Sequence, residues 1–171
     1  LFVLIFFSAM ARTPIFSGLI YLYAAFAYHL DARAIGILAA ASGALTVPVG
    51  ILAGYLSDRN GRKRTIAPGF AGVTLLMLGL AVTAFLQAPF VWFVGVFMVA
   101  LFFQSLCAGS SQTIGADVAP PEARGKFLGI WQFINLIGNS LSPVVFAFVA
   151  DRAGYGWSFV FVSVAGLAVL T

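Results

Sequence analysis

The sequence predicts an all-α membrane protein of six transmembrane helices. The chain is 62% hydrophobic and only 8% charged, whereas a soluble domain is about half apolar and about a quarter charged. Apolar runs of near-spanning length recur between polar breaks, as a hydrocarbon core about 30 Å thick demands of helices. The few charges gather in short connections, and the stretch DRNGRKR at 58–64 alone holds Arg59, Arg62, Lys63 and Arg64.

The runs cover residues 2–28, 34–56, 66–86, 90–112, 127–150 and 157–171. The last would rise only about 22 Å, short for a comfortable crossing. Residue 1 is Leu rather than Met, and neither a basic flank nor a cleavage site precedes the first run. We therefore expect a piece of a longer protein. The single cysteine, Cys107, lies in the fourth run, so no disulfide framework exists and a small buried filler is expected there.

A formal net charge of +4 could suggest nucleic acid, but the basic residues flank hydrophobic runs and no aromatic-basic module is present. No nucleic-acid partner is expected. The charges set orientation instead. Arg59 to Arg64 lie on one side with Arg124 and Lys126, while the other side has only Arg33 and Arg152. By the positive-inside bias the first set is cytoplasmic, and so are both ends of the chain. This places the protein in a cytoplasmic (inner or plasma) membrane, with the lipid bilayer as its solvent.

Topology explains Lys and Arg but not the small and acidic residues among them. Gly54, one turn before Asp58, would let another helix backbone approach closely. Gly61 can take the positive φ of a tight reversal. Asp58 at a helix C-terminus is disfavoured by its own helix dipole and needs a cation or another helix's N-terminus.

The stretch GYLSDRNGRKR at 54–64 resembles the signature between the second and third helices of a six-helix half in the major facilitator superfamily of secondary transporters. The resemblance implies one half of that fold, built as two inverted three-helix repeats at about 1–87 and 90–171. It implies a cytoplasmic gate of Asp58, Arg59, Arg62, Lys63 and Arg64, with Gly54 and Gly61 shaping the turn. Three further stretches are similar to family motifs. APPEARGKFLG at 119–129 is similar to the cytoplasmic entry to the fifth helix, and its Gly125 and Gly129 form a small-residue face. Gly138 to Pro143 is a degenerate relative of the glycine-proline motif of drug:proton antiporters, with Ser142 where glycine is usual. LFFQS at 101–105 resembles an amino-terminal-half motif, but Leu101 replaces its arginine. These departures weaken proton antiport and favour the carboxy-terminal half, the amino-terminal half staying open.

An internal echo accompanies the resemblance. Asp58-Arg59-Asn-Gly61 ends the second run and Asp151-Arg152-Ala-Gly154 ends the fifth, with Pro48 and Pro143 upstream. Recurrence by chance is the competing explanation.

Substrate chemistry belongs on polar residues facing a wet interior. Arg12, two residues before the hinge candidate Pro14, sits about mid-run, where an Arg costs roughly 2.5–3.5 kcal/mol. It either lines the pathway or snorkels to the interface. Gln132, Asn135 and Asn139 share one helical face, as do Gln104 and Ser111, and serve either as pathway lining or as interhelical bonding. His29 and Asp31 read as an interfacial turn. The abundant Phe reads as lipid-facing surface, and Tyr21, Tyr23, Tyr28, Trp92, Trp131 and Trp157 as interfacial anchors.

One His, one Cys and scattered carboxylates provide neither a metal site nor a nucleophile with a base. No enzyme and no cofactor are expected, with a coupling ion, proton or other, left open. The function expected is transport of a small-molecule substrate together with the missing six-helix half. The alternative is a non-transporting membrane module for partner binding or signalling. Transport requires water access at Arg12, Gln132 and Asn135, whereas the alternative permits them to be packed shut.

Overall fold

The structure is a computed structural model that describes residues 2–16, 18–107 and 115–170, with residues 15, 16, 60, 62–66 and 170 by backbone only. The described chain is almost wholly helical: α1 (Phe2–Phe16), α2 (Leu19–Tyr28), α3 (Ala32–Asn60), α4 (Arg62–Phe85), α5 (Phe90–Leu106), a 3-10 turn (Pro121–Ala123), α6 (Arg124–Ala153) and α7 (Tyr155–Leu170). By length and composition Phe2–Tyr28, Ala32–Arg59, Ala67–Phe85 and Pro121–Ala153 can cross a membrane, and Phe90–Leu106 and Tyr155–Val169 are shorter apolar helices. Each expected run thus holds helix, the first of them divided in two.

The division falls at Gly18, whose φ of 78° and ψ of 0° are left-handed, a conformation that glycine adopts without a Cβ penalty. Pro14 lies four residues upstream, inside α1. Proline has no N–H for the carbonyl four residues back, so Pro14 strips Met10 of its helical donor. The chain tolerates that loss in place and breaks only where glycine permits. Pro48 and Pro143 likewise sit inside α3 and α6. At the opposite end of the α1–α2 pair, His29 takes a left-handed cap and Asp31 Oδ1 accepts from the Ala34 N–H at 2.9 Å, which starts α3.

Packing pairs the helices in an ordered way. α1 lies along α6 and α7, α4 along α7 and α5, and α3 along α5 and α4, while α6 also meets α7. Exchanging the first three runs with the last three carries this set of contacts onto itself. The α4–α7 seam maps to itself, and α1–α6 maps to α3–α5. α3 and α6 are the outlying pair, with side chains such as Ile51 and Phe133 exposed.

Small residues make the seams. A Cβ on Gly138 would come within 2.8 Å of both the Ala9 Cβ and the Phe6 carbonyl oxygen, so α1 and α6 touch nearly backbone to backbone there. Gly69 makes room on α4 for Cys107 and the Phe103 carbonyl, Gly72 for the Phe103 ring, and Gly166 on α7 for the Thr74 side chain. Lipid tails are as apolar as side chains, so close van der Waals contact and interhelical hydrogen bonds carry such association. Ser163 Oγ accordingly donates to the Thr74 carbonyl at 3.0 Å, and Ser158 Oγ to the Phe146 carbonyl at 2.9 Å.

Three expectations are corrected here. Phe93, Phe97, Phe146 and Phe159 are fully buried rather than lipid-facing; with Tyr23 they form a ring cluster in which Tyr23 stands 5.5 Å from Phe93 and 5.3 Å from Phe159. Tyr23 is therefore core, not an interfacial anchor. Trp131 is also buried, because Gly115 leaves room for its indole; a Cβ there would lie 2.8 Å from the ring. Trp92 and Trp157 are exposed, as anchors are.

Replacing Gly138 by Val is expected to wedge α1 from α6 and cost about 1–3 kcal/mol, read as a lower thermal midpoint in detergent. Gly50→Ala, where a Cβ meets nothing within 4 Å, should leave the midpoint nearly unchanged.

Candidate functional site

Two groups of residues carry chemistry: a charged turn at the α3–α4 junction and a polar seam inside the bundle.

At the turn, α3 runs to Asn60 and α4 begins at Arg62, so Gly61 alone makes the reversal. It does so with φ 88° and ψ 143°, while its N–H closes the last turn on the Ser57 carbonyl at 3.1 Å. Arg59 folds back one turn, its Nη1 donating to the Tyr55 hydroxyl at 3.1 Å. Asp58 is exposed beside it, and among the described residues its carboxylate has no ion pair or hydrogen bond. The neighbouring guanidinium is thus committed elsewhere, leaving a carboxylate at the negative end of its own helix. The side chains of Arg62, Lys63 and Arg64 lie outside the described ones. Gly54 faces open space, as do Gly125 and Gly129 at the start of α6, so among the described residues none of the three seats a helix.

The polar seam joins α1 to α6. Ser142 Oγ donates to the Met10 carbonyl at 2.8 Å, the acceptor that Pro14 leaves without its helical donor. Asn139 Nδ2 donates to Asn135 Oδ1 at 2.8 Å, and Thr13 Oγ1 lies 2.7 Å from Asn139 Oδ1 and 2.6 Å from the Ala9 carbonyl. Asn135 and Asn139 are half-buried and engaged in this chain of bonds, whereas Gln132, one turn nearer the α6 N-terminus, is exposed. The shared face expected for the three amides therefore divides into a bonded part and an open part.

Across the bundle, Arg12 is partly buried and within electrostatic range of Cys107, which is itself fully buried just after α5. Gln104, one turn before Cys107, is 1% exposed, and among the described residues neither its Oε1 nor its Nε2 has a hydrogen-bond partner. A buried amide left this way costs about 1–3 kcal/mol per group. Ser111, expected on the same face, lies outside the described residues. Among the described residues no cluster of His, Cys, Asp and Glu could hold a metal ion.

Two features were beyond sequence reasoning. The Thr13–Asn139 bond spans 126 positions and has no local signal. The role of Ser142 was half visible: a hydroxyl where glycine is usual, with a proline in a distant run freeing a carbonyl. Ser142→Ala is expected to destabilise the protein by about 1–3 kcal/mol, since Met10 would keep a buried carbonyl with no donor. Thermal melts in detergent would show it, and Ser142→Thr should lose less.

The chain as a whole is similar to known proteins. The family model described as Major Facilitator Superfamily matches residues 1–171. The probable metabolite transport protein CsbC of Bacillus subtilis is 30% identical over 129 residues, 71% of this chain and 28% of that protein. Glycerophosphoinositol transporter 1 of Saccharomyces cerevisiae is 29% identical over 140 residues, 78% of this chain and 25% of that one. Among solved structures, the partially occluded inward-open xylose transporter XylE from E. coli has a similar fold, with TM-score 0.73 and 20% identity over 99% of this chain and 46% of its own. The chain thus spans only a quarter or so of these curated relatives, and under half of XylE. A family match from the first residue to the last, over a helical bundle turned at Gly61 by an Asp-Arg-x-Gly sequence, places the chain in the Major Facilitator Superfamily.

Proposed function

We propose that this chain is one half of a carrier that moves a small polar metabolite across the membrane by alternating access, with residues 54–64 as its cytoplasmic gate. The membrane helices and the family support transport in general terms. The observation that carries the gate is Asp58: an exposed carboxylate at a helix C-terminus, with the adjacent Arg59 held on Tyr55. Such a carboxylate gains most from a positive group arriving from outside this half, and a contact that can be made and broken is what a gate requires.

The remaining parts follow from that reading. The 58–64 turn and both chain ends are cytoplasmic, in an inner or plasma membrane. Residues 1–87 and 90–171 are inverted repeats, which the self-mapping helix contacts support. The chain acts as the carboxy-terminal half, completed by a second six-helix half of the same polypeptide. Arg12, Gln104 and Gln132 line the solute path, with Asn135 and Asn139 bordering it. Gln104 is the sharpest of these, a buried amide whose two ends suit the hydroxyls of a polar solute. The relatives, a probable metabolite transport protein and a glycerophosphoinositol transporter, agree with a solute of that class.

In the full protein reconstituted into liposomes, Asp58→Asn should lower the transport rate by roughly fivefold or more while changing solute affinity much less. Unchanged turnover would rule out the gate. Gln104→Leu should leave the thermal midpoint unchanged or higher, because it removes an unbonded buried amide, yet weaken solute binding by roughly tenfold or more. A destabilised variant with full affinity would make Gln104 a packing residue.

A further inference from the structure

The turn that ends α3 has a structural twin at the end of α6, and we propose that Asp151 is a second gate residue, closing the opposite membrane face as Asp58 closes the cytoplasmic one. The proposal rests on the gate reading of Asp58.

The resemblance of the two turns goes well beyond the shared Asp-Arg-x-Gly letters. Gly154 has φ 92° and ψ 162°, against 88° and 143° at Gly61. Its N–H bonds the Ala150 carbonyl at 3.0 Å, as that of Gly61 bonds Ser57, and α7 starts at the very next residue, as α4 does. Arg152 folds back onto the ring of Phe148, its guanidinium carbon 4.5 Å from the centroid, as Arg59 folds back onto Tyr55. In both copies the arginine is occupied by an aromatic one turn earlier. In both, the aspartate is exposed, with no ion pair or hydrogen bond to its carboxylate among the described residues. A chance recurrence of common residues would not reproduce the aromatic partner, the glycine conformation, the cap bond and the immediate helix restart together.

The surroundings of Asp151 say what it receives. A groove of about 530 Å³ opens between α2 and α6, walled by Leu19, Leu22, Phe26 and Phe146, and among the described residues Asp151 is the one charged residue lining it. The carboxylate stands at the negative end of α6, so its own helix repels it. An apolar groove with a negative rim fits a helical segment that is apolar along its side and positive at its tip. More than half of the XylE chain has no counterpart in these residues, and the second half of the carrier is the occupant we assign. When that half swings away on one face, it settles on the other, so the two aspartates hold opposite conformers.

The test uses the full-length carrier in a cysteine-free background with two single-cysteine reporters, Leu22→Cys in the groove wall and Gln132→Cys on the cytoplasmic side of α6. A membrane-impermeant thiol reagent is applied from each face. Asp151→Asn should raise labelling of the Leu22 reporter from outside by roughly threefold and lower labelling of the Gln132 reporter from inside. Asp58→Asn should shift both in the reverse sense, and Asp151→Glu, which keeps the charge, should label like the parent. If Asp58→Asn shifts the reporters and Asp151→Asn does not, the second gate is overturned while the first stands. If neither shifts them, both readings fall together. If Asp151→Glu behaves like Asp151→Asn, the carboxylate charge is not the agent and the proposal fails.

Discussion

Inside a bilayer no water reaches a broken helical hydrogen bond, so every carbonyl a proline strips must find another donor within the protein. Met10 is the place where this constraint shapes the bundle. Pro14 removes the donor within α1, and Ser142 supplies another from α6 at 2.8 Å. One bond thus repairs a backbone defect and fastens two runs far apart in sequence. The neighbouring contact of Gly138 on Ala9 and the Phe6 carbonyl keeps α6 close enough for that serine to reach. A larger residue at Gly138 would therefore act on two interactions at once.

From that seam the rest of the packing is regular. α6 and α3 occupy corresponding outlying positions, and α4 and α7 pair at the centre through Thr74, Ser163 and Gly166. Glycine, serine and threonine recur at the closest of these contacts, since apolar burial alone does not drive helices together in lipid. The aromatic cluster around Tyr23 and Phe93 joins α2, α5, α6 and α7 through large buried rings.

The runs and the reversal at Gly61 were legible in the sequence because local chemistry fixes them: apolar length and a glycine φ. The start of α3 was not, since Asp31 read only as an interfacial turn and its capping bond to the Ala34 N–H emerges from the structure. The break at Gly18 was not, since Pro14 draws attention to itself while the left-handed residue lies four positions on. Nor could composition tell a buried phenylalanine from a lipid-facing one, both environments being apolar; Phe93 and Phe146 are decided by partners on other helices. Trp131 was misplaced for a similar reason, its cavity being made by a glycine sixteen residues away. Among the site residues, the type and spacing of Asn135 and Asn139 were visible, but not the contact of Asn139 with Thr13, which depends on register across the α1–α6 seam.

The Thr13 hydroxyl has one hydrogen and two acceptors, the Ala9 carbonyl at 2.6 Å and Asn139 Oδ1 at 2.7 Å. It can give that hydrogen to its own helix or to the neighbour, and the two choices are nearly matched in length. A sliding joint between α1 and α6 would therefore exchange one bond for another instead of losing one. In a dry interior one hydrogen placed between two acceptors ties α1 to α6 without fixing the seam on a single bond.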